Sequence, residues 1–366
     1  MAAPITGARK VLVRAPNWLG DAILSLPALA EVRARFPEAE IAVLARASVA
    51  ELFACVPAAN RVIVFDHRGR HAGVMGLLRL AGELRRERFD LAVLFQNAFQ
   101  AALIAFLAGI PRRLGYRRDA RGPLLTHPVR LPRRGEIPPH ETYYYQELLR
   151  RAGWFPGLTM VEHIRLGPPT AAVEKMRARL HELGLDTNSP QRRPLVVLAP
   201  GAAYGSAKCW LPERFAALAD RLVERRNAAV LLCGTPAEVS LGEAIAARMR
   251  ARPISLIGQT TLEEFLGLLA NVDLFIGNDS GAMHLAAGLA LPQVIVFGPT
   301  DEAGTGPLNP AARLVKQPVS CSPCFLRHCP VDHRCMTRIE VDAVWQEVEA
   351  ALAPPRNFGA TGLAPQ

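Results

Sequence analysis

Short apolar segments alternate with amphipathic helical segments in two separate series along this chain. Residues 10–15, 41–44, 61–65 and 90–95 have the pattern of strands in the first series, and the second series begins at residue 195. Strands that alternate with helices form parallel sheets, because each helix returns the chain to the edge where the next strand starts. The pattern therefore predicts an α/β protein with two Rossmann-like, doubly wound parallel sheets that face a cleft.

The spacing of the two series sets the predicted domain boundaries. A chain of 366 residues is long enough for about two domains of ~150 residues each. We expect an N-terminal domain over residues 1–185, a linker over 186–194 and a C-terminal domain over 195–353. Residues 354–366, which are rich in Ala, Pro and Gly, are expected to form a disordered tail.

The charge balance is basic and comes almost entirely from arginine. The formal net charge is +10, and 39 of the 43 basic residues are arginine. Such a surface suits an acidic partner, which is nucleic acid, an anionic membrane or a phosphorylated substrate. A nucleic-acid partner is disfavoured, because the cations are dispersed and no aromatic residues are interleaved with them.

The apolar runs predict neither an export signal nor a membrane span. The first run, residues 11–13, is followed at once by Arg14, which argues against a signal-peptide core. Residues 91–110 are uncharged and match the ~20 residues of a membrane span, but Gln96 and Asn97 in their middle favour a strand, a polar turn and a helix. We therefore expect an intracellular, cytoplasmic protein whose seven cysteines do not form a disulfide framework.

Three loops that follow predicted strands are the candidate sites, because ligands of doubly wound sheets bind beyond the carboxyl ends of the strands. The first loop, PNWLGD over residues 16–21, ends where a helix begins. Its Asp21 is either a helix N-cap or a carboxylate at the cleft that acts as a general base. The spacing alone does not separate these two interpretations.

The second and third loops suit an anionic ligand. PGAAYGSAKCWLP over residues 200–212 combines glycines, which permit close backbone approach, with Lys208, a point charge for phosphate. The alternative is an ordinary connection with a solvated lysine. NDSGAMH over residues 278–284 places N–H and hydroxyl donors at a helix N-terminus, where anions bind well. Its alternative interpretation is a Ser280 cap with a buried His284.

Four of the seven cysteines lie within residues 321–335, namely Cys321, Cys324, Cys329 and Cys335. Their density and the opening Cys-x-x-Cys pair are consistent with a structural zinc site, with disulfides or with free thiols. An iron–sulfur cluster fits less well, because the later spacings differ from those of cluster motifs.

These loops, together with FGPT over residues 297–300, resemble the ADP-heptose:lipopolysaccharide heptosyltransferases of glycosyltransferase family 9, and most closely the heptosyltransferase II type. The motifs keep the family's order from residue 10 to about residue 350. The resemblance implies a GT-B fold, in which the first Rossmann-like domain binds the acceptor and the second binds the nucleotide-sugar donor. It also implies transfer of L-glycero-D-manno-heptose from ADP-heptose to the lipopolysaccharide inner core, at heptose I on Kdo–lipid A, by an inverting single displacement.

The resemblance further implies roles for individual residues. Asp21 is implied to be the general base, and Lys208 to contact the donor phosphates and the leaving ADP. The implied donor-binding residues are Gly201, Lys208, Gly234, Thr235, Asp279, Ser280, Gly281, Ala282 and His284. On the acceptor side we expect Asn17, Trp18, Asn97, Arg112, Arg113 and Arg117. The transfer itself is implied to need no cofactor, and a zinc ion at the cysteines would be structural.

On this hypothesis the partners are ADP-heptose, a Kdo-bearing lipid acceptor and the cytoplasmic face of the inner membrane, which the monomeric chain contacts peripherally. Two alternatives remain open. The same fold also suits heptosyltransferase I or III chemistry, or a different nucleotide-sugar transferase, hydrolase or epimerase. A non-catalytic nucleic-acid binder would instead use the +10 charge and the arginines of residues 112–134.

Overall fold

The computed structural model of this chain describes residue 5, residues 7–187, residue 189 and residues 191–353. These residues form two six-stranded sheets, and all strand pairs in both sheets are parallel. The prediction of two doubly wound α/β halves is therefore confirmed. The predicted tail lies outside the described residues, as do Asn188 and Pro190 of the predicted linker.

The N-terminal sheet has its first strand near the middle. Its strands are β1 Lys10–Arg14, β2 Glu40–Arg46, β3 Arg61–Phe65, β4 Leu91–Leu94, β5 Arg112–Tyr116 and β6 His127–Val129. The helices around it are α1 Leu19–Leu24, α2 Leu26–Arg35, α3 Ala47–Ala54, α4 Gly73–Glu87, α5 Phe99–Leu107 and α6 Glu141–Arg151. The spatial order is β3-β2-β1-β4-β5-β6.

The C-terminal sheet repeats this arrangement. Its strands are β7 Leu195–Ala199, β8 Ala229–Leu232, β9 Ile254–Ser255, β10 Leu274–Asn278, β11 Gln293–Phe297 and β12 Ala312–Lys316, in the spatial order β12-β11-β10-β7-β8-β9. The remaining helices are α7 Thr170–Glu182, α8 Pro212–Arg226, α9 Val239–Ala246, α10 Leu262–Leu269, α11 Gly281–Gly288, α12 Glu302–Thr305, α13 Arg334–Thr337 and α14 Val341–Leu352.

Burial explains why the strands were easy to predict from the sequence. All residues of β4, β7 and β11 are buried, because helices cover both faces of a parallel sheet, so these strands are apolar at nearly every position. Residues 91–110 form β4 and α5 with a polar turn between them, as predicted. Within the described part of the chain, no helix combines the length and the apolar character that crossing a bilayer requires.

Residues 111–140 are rich in Pro, Gly and Arg without clear periodicity, a composition that predicts loops, but they contain the two strands β5 and β6. β6 has three residues, includes Pro128 and pairs only with β5 at the sheet edge, where proline is tolerated. β5 begins with two arginines, which interrupt the apolar pattern. Short edge strands lack the continuous apolar run that marks a central strand, and the prediction missed them for that reason.

Helix α7 packs with the C-terminal half, which corrects the predicted boundary at residues 186–194. Its Lys175 forms an ion pair with Glu264 of α10 at 2.6 Å. The Val173 carbonyl oxygen accepts a hydrogen bond from Asn271 Nδ2 at 3.0 Å. The chain therefore passes between the halves before α7. The error arose because a polar helix followed by a linker-like run resembles a domain end.

Both sheets place their switch points at the same cleft. The strand order reverses between β1 and β4 in the N-terminal half and between β7 and β10 in the C-terminal half. Ligands of open α/β sheets bind at such reversals, beyond the carboxyl ends of the strands. The loops that leave these four strands carry Asp21, Asn97, Lys208 and Asp279.

Candidate active site

The loop after β1 is held by Arg14, a buried arginine at the end of that strand. Its terminal nitrogens donate to the carbonyl oxygens of Ala15 and Leu44 and, at 2.6 Å, to Asn17 Oδ1. The Asn17 backbone N–H donates to Gln96 Oε1 at 3.0 Å. Side chains at the ends of β1 and β4 therefore determine the path of the loop that leads to Asp21.

Asp21 lies in the first turn of α1 but does not cap it. The N-cap position is Trp18 and no side chain caps the helix, so the interpretation of Asp21 as an N-cap is wrong. Burial raises the pKa of the Asp21 carboxyl, and the Lys208 ammonium of the other half opposes that rise. A raised pKa makes the carboxylate a stronger base, provided that it remains ionised at the working pH.

A second carboxyl group lies close to Asp21 on the N-terminal side. Glu141 is the first residue of α6, and burial together with the Asp21 charge raises its pKa. Glu141 is nevertheless exposed to solvent. The sequence analysis did not identify Glu141, because nothing in the local pattern connects the start of α6 to the loop after β1.

On the C-terminal side, Lys208 and Asp279 form an ion pair that is almost completely buried. Lys208 Nζ lies 2.6 Å from Asp279 Oδ2. The Thr300 hydroxyl, from the loop after β11, donates to the same oxygen at 2.6 Å. The alternative interpretation of Lys208 as a solvated lysine is therefore wrong, and Thr300 of the FGPT motif joins the candidate site.

Asn278 holds the loops after β7 and β10 together. Its side-chain oxygen accepts from the Trp210 backbone N–H at 3.0 Å, and its side-chain nitrogen donates to the Pro200 carbonyl oxygen at 2.7 Å. Asn278 is fully buried at the end of β10. Both ends of the Lys208 loop are thus tied to the strand that leads into Asp279.

The start of α11 faces the start of α1 across the cleft. Gly281 opens α11, and a Cβ at this position would lie 2.8 Å from Leu19 Cβ. A Cβ on Gly20 would lie 3.2 Å from the His284 ring. The two glycines therefore let the halves approach each other closely at the level of Asp21.

The alternative interpretation of the third loop is half correct. Ser280 occupies the N-cap position of α11 but makes no capping bond, and its hydroxyl has no hydrogen-bond partner among the described residues. His284 is buried, and burial lowers its pKa to about 4, which keeps the ring neutral at pH 7. A buried, unpartnered hydroxyl beside helix N–H groups is available to a ligand.

The predicted nucleoside end of the site surrounds the side chain of Glu238. Its Oε2 accepts from the Thr235 backbone N–H at 2.6 Å and from the Thr235 hydroxyl at 3.0 Å. A Cβ on Gly201 would lie 1.8 Å from Glu238 Oε1, and one on Gly234 would lie 2.6 Å from Oε2. The structure thus brings Gly201, Gly234 and Thr235 together around a carboxylate that the sequence analysis did not name.

Of the residues predicted to bind the acceptor, Asn97 and Arg117 lie at the carboxyl edge of the N-terminal sheet. Asn97 Nδ2 donates to the Tyr144 hydroxyl at 2.8 Å, and Asn97 Oδ1 accepts from Arg121 Nη2 at 2.8 Å. Arg117 follows β5 directly and is exposed. Trp18 is also exposed, beside the cleft.

The structure does not bring Arg112 and Arg113 to the cleft, which corrects that part of the acceptor prediction. They are the first residues of β5 and therefore stand at the amino edge of the sheet. Arg112 Nε donates to the Asp90 carbonyl oxygen at 3.1 Å, and Arg113 Nε donates to the Leu124 carbonyl oxygen at 2.6 Å. The five residues of β5 cross the sheet from its amino edge to its carboxyl edge. The arginines at its start and the arginine after its end therefore lie at opposite edges and cannot act at one site.

A group of cations that the sequence analysis missed lies at the carboxyl ends of β1, β2 and β3. Burial, reinforced by the charge of Arg46, lowers the pKa of Arg14 to about 9. Burial and the charge of Arg68 lower the pKa of Arg46. Burial, together with the charges of Arg46 and Arg68, lowers the pKa of His67. The Nε atoms of Arg14 and Arg46 are buried without a hydrogen-bond partner in the described residues. Such mutual repulsion is relieved by an anion.

The cysteines of residues 321–335 do not form a metal site in the structure. No group of three His, Cys, Asp or Glu side chains within the described ranges is arranged to hold a metal ion, so the zinc prediction finds no support. All four thiols are free. Cys335 is buried in the core of the C-terminal half, whereas Cys321, Cys324 and Cys329 are exposed.

Comparison with known sequences supports the family resemblance. Residues 77–334 match the model of glycosyltransferase family 9 (heptosyltransferase). Lipopolysaccharide heptosyltransferase 2 of Salmonella typhimurium is 31% identical over 311 residues, which cover 84% of this chain and 88% of that protein. The protein of the same name from Escherichia coli is 30% identical over 316 residues, with the same shares of the two chains covered.

Solved structures agree with this match. The E. coli ADP-heptose LPS heptosyltransferase II is 28% identical, with a TM-score of 0.77 over 93% of this chain and 98% of that chain. A family 9 glycosyltransferase from Veillonella parvula, 22% identical, has a TM-score of 0.82 over 94% of this chain and 97% of that one, which supports the fold. The expected GT-B architecture is confirmed, and the chain belongs to glycosyltransferase family 9, the heptosyltransferases.

Proposed function

We propose that this chain transfers L-glycero-D-manno-heptose from ADP-heptose to heptose I on the Kdo–lipid A inner core of lipopolysaccharide, with inversion at the anomeric carbon. One observation carries the proposal. Asp21 of the N-terminal half lies near enough to Lys208 of the C-terminal half for their charges to interact. A base and a phosphate-binding cation that face one cleft are what a transfer from a nucleoside diphosphate requires.

Asp21 takes the proton of the acceptor hydroxyl, and the hydroxyl oxygen forms a bond to the anomeric carbon of the heptose. The bond from that carbon to the diphosphate oxygen breaks, and ADP leaves with the electron pair. A sugar hydroxyl is a poor nucleophile at neutral pH, so a positioned base contributes about 100- to 10,000-fold. One displacement from the face opposite to ADP inverts the anomeric centre.

Lys208 and the start of α11 stabilise the leaving ADP. The Lys208 ammonium is already oriented by Asp279, so it does not have to reorganise when negative charge develops on the diphosphate. The backbone N–H groups of Gly281 and Ala282, with the unpartnered Ser280 hydroxyl, provide further donors beside it. These groups supply the charge stabilisation, and we propose that no cofactor is needed for the transfer.

We place the adenosine of the donor at Gly201, Gly234 and Thr235. Glycines leave space for a nucleoside against the backbone, and the Glu238 carboxylate between them can accept hydrogen bonds from ribose hydroxyls, as acidic residues do in other doubly wound nucleotide sites. His284 lies behind the diphosphate as a neutral ring and contributes to packing rather than to charge.

We place the acceptor on the N-terminal half, against Asn17, Trp18, Asn97 and Arg117. The unrelieved positive charge at the ends of β1, β2 and β3 favours an acceptor that carries carboxylate or phosphate groups. The names of the relatives, lipopolysaccharide heptosyltransferase 2, support an inner-core acceptor.

We further propose that the chain works as a monomer in the cytoplasm, at the surface of the inner membrane. Val74 and Met75, at the start of α4, are each more than 70% exposed. Arg68 and Arg70 precede them in the same connection from β3. Exposed apolar side chains next to cations are suited to an anionic bilayer surface, which also holds the lipid acceptor.

The proposal is tested by incubating the full chain with ADP-heptose and a heptose I–Kdo–lipid A acceptor, with mass spectrometry of the product. We expect a gain of one heptosyl unit. The matched acceptor that lacks heptose I should remain unmodified, because transfer to it would indicate heptosyltransferase I chemistry instead.

The donor assignment is tested by calorimetric titration with ADP, UDP and GDP. We expect binding of ADP with clear preference over the other two nucleotides. Tight binding of UDP without binding of ADP would overturn the donor assignment while leaving the fold and the cleft unaffected.

A further inference from the structure

Arg327 connects the two halves at the mouth of the cleft. Its guanidinium carbon lies 5.6 Å from the centre of the Trp18 ring, in the loop after β1. The same carbon lies 5.2 Å from the centre of the Tyr204 ring, in the loop after β7. A cation over an aromatic ring within about 6 Å of its centre is attracted to it. One arginine therefore bridges the loops that lead to Asp21 and to Lys208.

The backbone of Arg327 is held on the Lys208 loop without help from its side chain. Its carbonyl oxygen accepts from the Ala207 backbone N–H at 3.0 Å. Gly205 permits this approach, because a Cβ there would lie 2.3 Å from that oxygen. His333 Nε2 donates to the Ala207 carbonyl oxygen at 2.7 Å. The guanidinium can therefore be removed while the segment stays docked.

The rings at each end of this bridge are adjacent to the chemistry. Trp18 is the N-cap residue of α1, three positions before Asp21, and it is 45% exposed. The Tyr204 ring also lies 4.9 Å from Lys208 Nζ, and its hydroxyl donates to the Phe325 carbonyl oxygen at 2.6 Å. Arg327 therefore contacts the loop after β1, which leads to Asp21, and the Tyr204 ring that contacts Lys208.

We propose that Arg327 is a positioning residue that holds the two halves closed on the bound substrates, so that Asp21 and Lys208 act on the same sugar. The inference rests on the proposed function. The Arg327 guanidinium lies over the Trp18 and Tyr204 rings, and its backbone carbonyl rather than its side chain bonds to the Lys208 loop. Loss of the guanidinium should therefore lower the population of the closed, reactive arrangement without weakening the attachment of ADP to the C-terminal half.

The first test compares Arg327→Met with the wild-type chain. We expect kcat to fall about tenfold, the effect of losing two partly exposed cation–π contacts, while the Kd for ADP changes less than twofold. Arg327→Lys retains a cation and should recover most of the lost turnover. The matched control is Arg221→Met, because Arg221 lies 5.5 Å from the centre of the Trp345 ring on the far side of the C-terminal half. It should leave kcat unchanged.

The second test is a double-mutant cycle with Trp18→Leu. If the bridge acts through Trp18, Arg327→Met should lower kcat much less in the Trp18→Leu background than in the wild-type background, because the contact is already broken. The cycle separates this coupling from any contact that Trp18 makes with the acceptor itself.

Three results would overturn the inference. The first is a kcat for Arg327→Met within twofold of the wild-type value. The second is a loss of ADP affinity parallel to the loss of kcat, because it would show that the Lys208 loop has simply loosened. The third is additive effects of the two substitutions in the double-mutant cycle. If the wild-type chain transfers no heptose, the proposed function fails, and the bridge is then tested by small-angle scattering with ADP bound. We expect a larger radius of gyration for Arg327→Met than for wild type, and equal values would reject the bridge.

Discussion

Lys208 Nζ lies 2.6 Å from Asp279 Oδ2 in an ion pair whose side chains are only 12% and 4% exposed. A pair this deeply buried keeps its geometry, since neither group can return to water cheaply. The pair lies in the C-terminal half, and the charge of Lys208 acts on Asp21 of the other half. On the proposed function, Lys208 contributes both to the stability and to the activity of the chain.

Replacement of Lys208 by Met should damage both properties. Among the described residues, the buried Asp279 carboxylate would keep the Thr300 hydroxyl as its remaining side-chain partner. Breaking a buried pair in this way costs about 3 kcal/mol of unfolding free energy. Turnover should fall by about 100-fold or more, because charge on the leaving ADP loses its main cation. Urea unfolding and steady-state kinetics measure the two effects. The double variant Lys208→Met with Asp279→Asn should recover stability but not turnover, and recovery of both would contradict the role of Lys208.

Replacement of Asp21 by Asn should abolish proton removal and leave the donor site intact. We expect kcat to fall by about 100- to 10,000-fold, with an unchanged Kd for ADP, because the donor contacts lie on the other half. Product formation by mass spectrometry and ADP calorimetry are the measurements. Near-normal turnover in this variant would exclude Asp21 as the base.

The acid limb of the pH–rate profile should report the raised pKa of Asp21. The base acts in its ionised form, so kcat/KM should rise with pH through a value above that of an ordinary aspartate, because burial disfavours the charge. The positive charge of Lys208 lowers the pKa of Asp21 and so opposes the effect of burial. In Lys208→Met the limb of the residual activity should therefore move to higher pH. A shift to lower pH would contradict the proximity of the two groups.

The arginines at the two edges of β5 provide a matched pair of variants. Replacing Arg117 and Arg118 by Ser should raise the KM for the lipid acceptor about three- to tenfold at low salt, and less at high salt, because exposed charges are screened. Replacing Arg112 and Arg113 by Ser should leave the acceptor KM unchanged, because both lie at the opposite edge of the sheet. Equal effects of the two double variants would show that the arginines act only through net charge.

Glu31 should make the folded state lose stability as the pH rises. Burial raises its pKa from 4.5 to about 7, so the folded chain binds a proton that the unfolded chain has already released between these values. The stability is therefore highest at or below pH 4.5 for this group and declines through pH 7. Glu31 is partly exposed, so solvent screening reduces the effect. Glu31→Gln should therefore make the loss of unfolding free energy between pH 5 and pH 8 smaller by about 1 kcal/mol. Urea unfolding at pH 5 and pH 8 measures it, with the exposed Glu38→Gln as a control that should change nothing.

Thiol reactivity should separate the cysteines by burial. Cys321, Cys324 and Cys329 are exposed and should react rapidly with a disulfide reagent in the native chain. Burial raises the pKa of Cys335 to about 11 and that of Cys233 to about 12, so these thiols should react only after unfolding. A chelator should not change the number of cysteines that react rapidly. If the three exposed thiols reacted only after addition of a chelator or a reductant, they would be held by a metal or by disulfides.

Much of the fold could be predicted because it is encoded in short-range pattern. Buried parallel strands require continuous apolar runs, and helices between them require an apolar stripe, so both sheets can be recognised before any contact is known. The same order places the loops after β1, β7 and β10 at one cleft, since the carboxyl ends of parallel strands share an edge. Asp21, Lys208 and Asp279 became candidate site residues on this basis.

Some features of the fold and of the candidate site depend on contacts between segments that are far apart in the chain, so the local sequence pattern could not predict them. The edge strand β6 and the side on which α7 packs are set by their neighbours rather than by their own residues. Glu141 and Arg327 become part of the site only because α6 and the cysteine-containing segment fold back onto it.

The sequence by itself therefore determined two doubly wound halves, the three candidate loops after β1, β7 and β10, and the family to which the chain belongs. Only the tertiary structure decided that Lys208 is paired with Asp279 and that Arg112 and Arg113 lie at the amino edge of the sheet. It also decided that, in the part of the chain that the structure describes, the clustered cysteines are not grouped as metal ligands. The physical reason is the same in each case. Periodicity specifies which face of an element is buried, but distances between charges depend on how the elements pack, and no residue carries that information alone.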